Sequence, residues 1–362
     1  MKKILVVDDS PVFCRLIHDQ LTDVGYKVRS AMDGASAVSN AIRFQPDLIL
    51  LDIELPEANG LEVLSKIRDY ESMKHTPVIM ISSHREKETV LRAVKNGAND
   101  YIVKPINVGV LLAKVSEWIN ATNEQQWKLL PVRQQSALGL LKVSMASALG
   151  SAVKGRGLPY QELKNACRGL MEAIEEDGFS GMLKSLEDHE NTLFLHSLIV
   201  SIYMYLFSVF KGFSEEECLL NMLGGLLHDI GNVKIPNEIL FKPGELDDKE
   251  FEQARMHVEY GMDILKATQS VDQIVEDICR SHHEKMDGTG YPGGIGEEQL
   301  SASGRMIAIV EAYATLTIKN VYGKMHDKKE ALLKLRAPDE HLDQQMLKEF
   351  EDAVLHGFLR GK

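Results

Sequence analysis

Five side chains in the first third of the chain could act together: Asp8, Asp9, Asp52, Ser82 and Lys104. Each stands at or just past the end of a short apolar run. Residues 4–7 (ILVV) precede Asp8 and Asp9, 48–51 (LILL) precede Asp52, 78–81 (VIMI) precede Ser82, and 101–103 (YIV) precede Lys104. Carboxylates gathered in one place repel, so a divalent cation or a lysine must offset them, and an all-oxygen set suits Mg²⁺. The cation would also neutralise an incoming phosphoryl group and leave one carboxylate free to attack phosphorus. A hydroxyl (Ser82) and an ammonium (Lys104) could then hold the phosphoryl oxygens.

A second set occupies the C-terminal half. His196 lies in a stretch without charge, and His228-Asp229 follows the apolar run 223–227. His257 comes 28 residues after Asp229, His282-His283 another 25 on, and Glu311 28 beyond that. One histidine on an apolar face is ordinarily a satisfied core residue. Five of them with two carboxylates, each group on its own helix, are harder to bury, at a few kcal/mol for each unpaired polar group. A pair of bound metals removes that cost. Imidazole with carboxylate suits Fe or Mn, with Zn as an alternative, rather than Ca or Mg. One carboxylate can bridge two ions, and ions about 3.5–4 Å apart suit phosphoester hydrolysis.

These side chains need elements to hold them. In the first 120 residues, continuous apolar runs alternate with helical-period segments such as 12–21, 60–67 and 89–94. That pattern predicts strands buried on both faces and a parallel, doubly wound α/β sheet with its site past the strand C-termini. Residues 121–135 (ATNEQQWKLLPVRQQ) are polar and broken by Pro131, and read as a linker or helical connector. Helical patterning resumes over 138–149 and 160–175 and continues to the end. Residues 192–210 carry no Asp, Glu, Lys or Arg and could span a bilayer. His196, Ser197, Ser201 and Ser208 favour a buried helix of a helical domain instead.

The 362 residues imply two or three domains, with 44% hydrophobic and 26% charged residues, as in a soluble globular protein. The balance of 41 Lys+Arg against 53 Asp+Glu gives −12, which argues against a DNA-binding face or a polybasic membrane anchor. The four cysteines lie far apart with no CxxC, so neither a disulfide framework nor a zinc framework is expected, and a reducing, cytoplasmic setting is. The start, MKKILVVDD, turns acidic too early for a signal peptide.

With DD at 8–9, D at 52, S at 82, Y at 101 and KP at 104–105, about 118 residues resemble the receiver domain of two-component response regulators. The resemblance implies a flavodoxin-like sheet of five strands and Asp52 as phosphoacceptor. Asp9 and Asp52, the Glu54 carbonyl and Asp8 would hold Mg²⁺. Ser82 and Tyr101 would be the switch pair. A sensor histidine kinase or phosphotransfer protein would be the partner.

HDIG at 228–231, HHE at 282–284 and DGTGYP at 287–292, with IP at 235–236 and KPGEL at 242–246, resemble the HD-GYP family from about Ala152 onward. That family is an all-α bundle of the HD phosphohydrolase superfamily, known for hydrolysing cyclic di-GMP to pGpG or GMP. By position, His196, His228, Asp229 and Glu311 would hold one metal. His257, His282 and His283 would hold the other, with Asp229 bridging and His228 and Asp229 central to catalysis. Tyr291 would pack against ligand, and Arg305 could reach a phosphate.

The sequence departs from the family pattern at four places. Asn232 and Asn320 stand where the family carries ligand-contacting cations, Glu311 replaces Asp, and Ala314 replaces a second Asp. Thr192 replaces a Glu that recruits a third metal in some members, so two metals are expected. The expected organisation is a receiver over 1–120, a helical linker over 121–150 and an HD-GYP domain over 151–362. The expected function is phosphorylation-controlled hydrolysis of cyclic di-GMP by a homodimer, without DNA or membrane insertion. The alternative is a degenerate, non-catalytic regulator that binds a partner protein or cyclic di-GMP.

Overall fold

The computed structural model describes the chain except for residues 1, 24–25, 57, 84–91, 107, 188–192, 241, 243, 319–325, 337–340 and 358–362. It falls into two compact units, one built on Met1–Asn123, the other on Glu124–Leu240 and Leu246–Lys362.

In the first unit the apolar runs form β1 (Lys3–Val7), β2 (Lys27–Ala31), β3 (Leu48–Asp52), β4 (Val78–Ser82) and β5 (Asp100–Val103). All pair in parallel, in the order β2-β1-β3-β4-β5. Residues 48–51 and 78–81 are fully buried, as strands covered on both faces must be. Burying each such Ile, Leu, Val or Met side chain is worth about 1.5–3 kcal/mol. Strand order reverses beside β1, and a crevice at the strand C-termini is the geometric result. Register places Val7 opposite Leu51, Asp52 opposite Ile81, and Ser82 opposite Val103. The expected chemical residues therefore share one edge of the sheet.

The second unit is helical. Its core joins Leu198, Ile202, Tyr203 and Phe207 of the helix Leu193–Phe210 to Leu223 and Leu226 of Glu215–Leu227 and to Ile307 and Val310 of Ala302–Thr317. The uncharged stretch is thus the centre of a soluble-type bundle over its described residues. Its hydroxyls are satisfied internally: Ser201 Oγ donates to the Met222 carbonyl and Ser208 Oγ to that of Met204.

Within 121–150, where a connector was expected, a helix runs Val132–Val153 and packs on Tyr160–Asp177. Leu138, Leu141, Met145 and Ala148 recur at helical spacing and are buried in the helical core. This helix is long and apolar enough to cross a membrane by length and composition alone. All four cysteines are free and buried.

Candidate active site and metal centres

The first site sits at the strand ends of the first unit. Asp8 follows β1, Asp52 ends β3, Ser82 ends β4 and Lys104 follows β5. Asp8, Asp52 and Ser82 are buried, whereas Asp9 is exposed. Asp8, Asp9 and Asp52 each present an oxygen within 4.8 Å of the others, a spacing that could hold a cation. Lys104 Nζ donates to Asp8 Oδ2 at 2.7 Å and to Asp52 Oδ2 at 2.6 Å. The lysine thus offsets the two buried carboxylates, and they hold its own pKa up against the effect of burial.

Burial pushes the Asp52 carboxyl up to about 6, even though Lys104 and the Glu54 N–H work the other way. The second Asp52 oxygen, Oδ1, accepts from that Glu54 N–H at 3.1 Å. A glycine is required just beyond: a Cβ on Gly60 would stand 2.0 Å from the Asp52 carbonyl oxygen. Tyr101 is half-buried on β5.

The second site gathers the expected histidines into two groups. Nitrogens of His257, His282 and His283 lie within 4.8 Å of one another, and so do ligand atoms of His196, His228 and Glu311. Asp229 lies between the groups. Its Oδ1 is 3.3 Å from His257 Nε2 and 3.7 Å from His282 Nε2, and its Oδ2 is 3.5 Å from His228 Nε2. His196 Nε2 and Glu311 Oε2 are 2.9 Å apart.

Helix ends set these positions. The helix Glu215–Leu227 starts at a Ser214–Glu217 capping box and ends at His228. A tight turn, Ile230–Lys234, follows Asp229. Gly231 lets that turn touch the helix His257–Lys266, because a Cβ there would lie 1.9 Å from the His257 carbonyl oxygen. Asp229 and His257 can meet only through this contact.

Three rings are fixed the same way. Nδ1 of His228, His257 and His282 lies 2.8, 2.7 and 2.9 Å from the carbonyl three residues earlier, on Gly225, Ala254 and Cys279. A carbonyl only accepts, so each Nδ1 carries a proton and each ring turns its Nε2 inward, as the atom that would coordinate an ion. The Nε2 atoms of His257 and His282 then face each other at 3.0 Å. His228 Nε2 is buried without a hydrogen-bond partner of good geometry, although Glu311 Oε2 lies 3.3 Å away. Ring nitrogens turned inward, one of them buried without a partner, are what a metal site requires, so the donor set fits imidazole- and carboxylate-bound transition metals.

The charges divide by side. Burial, with His257 and other rings nearby, depresses His282 well below the usual range and holds His283 at about 4, leaving both neutral. Burial also works against the charged form of His228, but Asp229 and Glu311 outweigh it and hold the ring at about 9. Glu311 is depressed in return, because His196 and His228 overcome its burial.

Three neighbours were not foreseen from sequence. Thr315 Oγ1 donates to Glu311 Oε1 at 3.0 Å, orienting that carboxylate. Glu284 is buried and accepts from the Gly293 and Ile295 N–H groups at 2.6 and 3.1 Å, which ties the GYP loop to His283. Arg255 lies over Tyr291, its guanidinium carbon 4.9 Å from the ring centroid. Tyr291 stacks on His283 at 4.6 Å.

The Arg305 guanidinium donates to the Leu300 and Glu297 carbonyls and to Asp343 Oδ2, bracing the loop against the start of the helix Gln344–His356. Asn232 is buried in the turn after Asp229. Asn320 and Thr192 lie outside the described residues.

Two family models match the chain, one in each half. Residues 4–116 match the response regulator receiver domain and residues 191–346 match the HD domain. A Vibrio cholerae protein named probable cyclic di-GMP phosphodiesterase is 26% identical, over 96% of this chain and 76% of its own. The cyclic di-GMP phosphodiesterase response regulator RpfG of Xanthomonas campestris is 28% identical, over 99% of this chain and 87% of its own. A Thermotoga maritima cyclic di-GMP phosphodiesterase is 27% identical, over 92% of this chain and 85% of its own. The chain thus carries a receiver domain of the response-regulator kind over residues 4–116 and an HD domain over residues 191–346.

Proposed function

We propose that the chain is a phosphorylation-controlled phosphodiesterase that opens cyclic di-GMP at its HD domain. The observation that carries this reading is Asp229 placed between two sets of inward-facing ligand atoms. His196, His228 and Glu311 would hold one ion and His257, His282 and His283 the other, with Asp229 shared. Iron or manganese fits this donor set, and zinc is the alternative. Bound there, two cations would polarise the phosphoryl oxygens and lower the pKa of a shared water.

The chain's own groups do the positioning. The carbonyls of Gly225, Ala254 and Cys279 fix three imidazoles, Thr315 fixes Glu311, and Glu284 fixes the loop that carries Tyr291 beside His283.

In the receiver, an Asp52 oxygen would attack a phosphohistidine phosphorus. The phosphorus–nitrogen bond breaks as the acyl phosphate forms, and the imidazole leaves. Mg²⁺ on Asp8, Asp9, Asp52 and the Glu54 carbonyl would balance the added charge, with Lys104, Ser82 and Tyr101 reading the new phosphoryl group. The donor would be a sensor histidine kinase or a phosphotransfer protein in the cytoplasm, and the working form a homodimer.

Metal analysis together with turnover of a cyclic dinucleotide panel tests the reading, on wild type and Asp52→Asn, with and without a small-molecule phosphodonor. Linear product whose rate responds to the phosphodonor only when Asp52 is present supports it. Metal-replete protein that opens no cyclic dinucleotide in either state sinks it.

A second reading, a non-catalytic regulator, draws on neutral Asn232 and on Ala314, which is fully buried where a carboxylate was expected. Under it, His228→Ala would leave signalling in cells intact; lost output in that variant counts against it.

A further inference from the structure

We propose that Arg255 binds the ligand's phosphate at the mouth of the metal site. The inference rests on the reading that this site takes a cyclic dinucleotide. It names a residue that composition and motif left unremarked.

Arg255 closes the helix Asp248–Arg255, and the carbonyl just before it, on Ala254, accepts from Nδ1 of His257. The backbone of the arginine is therefore locked two residues from a metal-facing histidine. Its guanidinium lies 4.9 Å from the Tyr291 centroid, and that ring stacks on His283 at 4.6 Å with 26° between planes. Phe251 meets the edge of Tyr291 at 6.2 Å. Histidine, tyrosine and arginine thus form one column that leads outward from the candidate metals. The ring fixes the guanidinium plane through a cation–π contact.

The arginine remains available. NH1 donates to Glu252 Oε1 at 2.9 Å, but the side chains are 34% and 64% exposed, and an ion pair so open to water is weak. A guanidinium has five N–H donors in a planar fork that matches a phosphate edge. Two other described cations of this half have partners. Arg305 braces Glu297, Leu300 and Asp343, and the Lys234 ammonium lies over the Tyr260 ring. The turn after Asp229 offers the neutral Asn232. A dianionic ligand with one phosphodiester at the metals holds its second phosphate farther out, and Arg255 stands at the outer end of the His283–Tyr291 column.

The test uses the full-length, metal-loaded chain and the variants Arg255→Gln and Arg255→Lys. Affinity for cyclic di-GMP is read by calorimetry, metal content by elemental analysis, and cleavage by two substrates. Bis(p-nitrophenyl) phosphate is too small to reach the arginine, and cyclic di-GMP is not. We expect Arg255→Gln to weaken binding and raise KM for cyclic di-GMP by about ten- to a hundredfold. Its kcat should stay within about twofold, with metal content and cleavage of the small diester unchanged, as for a contact made equally in ground and transition states. Arg255→Lys should recover part of the loss, since it keeps the charge without the fork. Wild-type affinity in Arg255→Gln overturns the proposal, as does loss of metal in that variant.

A wild-type chain that holds metal, cleaves the small diester and ignores cyclic di-GMP refutes the substrate reading alone. Inhibition of small-diester cleavage by adenosine 3′,5′-bisphosphate then decides for Arg255. An inhibition constant raised about tenfold in Arg255→Gln upholds it, and an unchanged one overturns it.

Discussion

Nε2 of His257 stands 3.0 Å from Nε2 of His282, while the opposite nitrogen of each ring is hydrogen-bonded to a backbone carbonyl. Burial holds His282 well below the usual imidazole range, so its Nε2 lone pair faces the second ring nitrogen across a buried gap that a shared cation would fill. Chelation is therefore expected to lower the melting temperature of the HD domain. Metal present at about a thousandfold excess over Kd contributes about 4 kcal/mol, or roughly 10 °C for a domain of this size. Differential scanning calorimetry before and after chelation checks this; an unchanged transition means the pair is satisfied without metal. His282→Ala should also cost one metal equivalent in elemental analysis.

Thr315 is expected to set metal affinity through Glu311. The variant Thr315→Val keeps the shape and removes the hydroxyl that donates to Oε1. Loss of such an outer partner commonly weakens metal binding by about 10- to 100-fold. Competition with a fluorescent chelator measures it, with circular dichroism as the check on folding. Equal affinity in variant and parent would leave the hydroxyl no role in orienting Glu311.

Glu284 is expected to act on ligand, not on metal. Glu284→Gln weakens two bonds to the Gly293 and Ile295 amides, and a hydrogen bond to a charged group is worth about 1.5–3 kcal/mol. The loop should exchange amide hydrogens faster and KM should rise, with both metals retained. Metal loss without faster exchange in 291–295 would assign the residue to the metal site instead.

In the receiver, Asp100 joins β5 to the helix Val108–Asn123 by accepting from Lys114 Nζ, Trp118 Nε1 and the Tyr101 N–H at 2.5, 3.1 and 2.7 Å. Burial alone would raise its pKa, but these donors, Lys114 foremost, hold it below the usual aspartate value. A depressed folded pKa means the stabilisation is complete above the unfolded value of about 3.9 and fades as pH falls through the folded one. Asp100→Asn should cost about 1.5–3 kcal/mol at pH 7, with the gap to parent closing below about pH 4. A gap that is constant across that range would mean the charge is not what holds the helix.

The strand ends were legible because a continuous apolar run followed by an acid is a local pattern, and a parallel sheet aligns such ends by register. Part of the histidine array was legible for a similar reason, since His196 interrupts and His228 ends an apolar helix. The partners of Arg305 were not legible, because tertiary folding sets them. Asp343 lies 38 residues downstream, and the Glu297 and Leu300 carbonyls belong to an irregular loop. Thr315 could have been noticed one helical turn past Glu311. The carboxylate of Glu284 and the fork of Arg255 carried no periodic signal, because loop amides and an aromatic ring give them their meaning. The helix over 132–153 was legible in its spacing, but that Leu138, Leu141, Met145 and Ala148 join the helical core was not, because tertiary packing decides it.

The buried meeting of His228, Asp229, His257 and Glu311 bears on how long a copy of the protein survives. On the proposed reading, a chain that has folded but not acquired metal keeps these groups packed with a poorly partnered nitrogen at their centre. It opens more often than the loaded form, and opened chains are what proteases degrade. The abundance of this response regulator would then follow the metal supply of its cell, separately from any phosphoryl signal it receives.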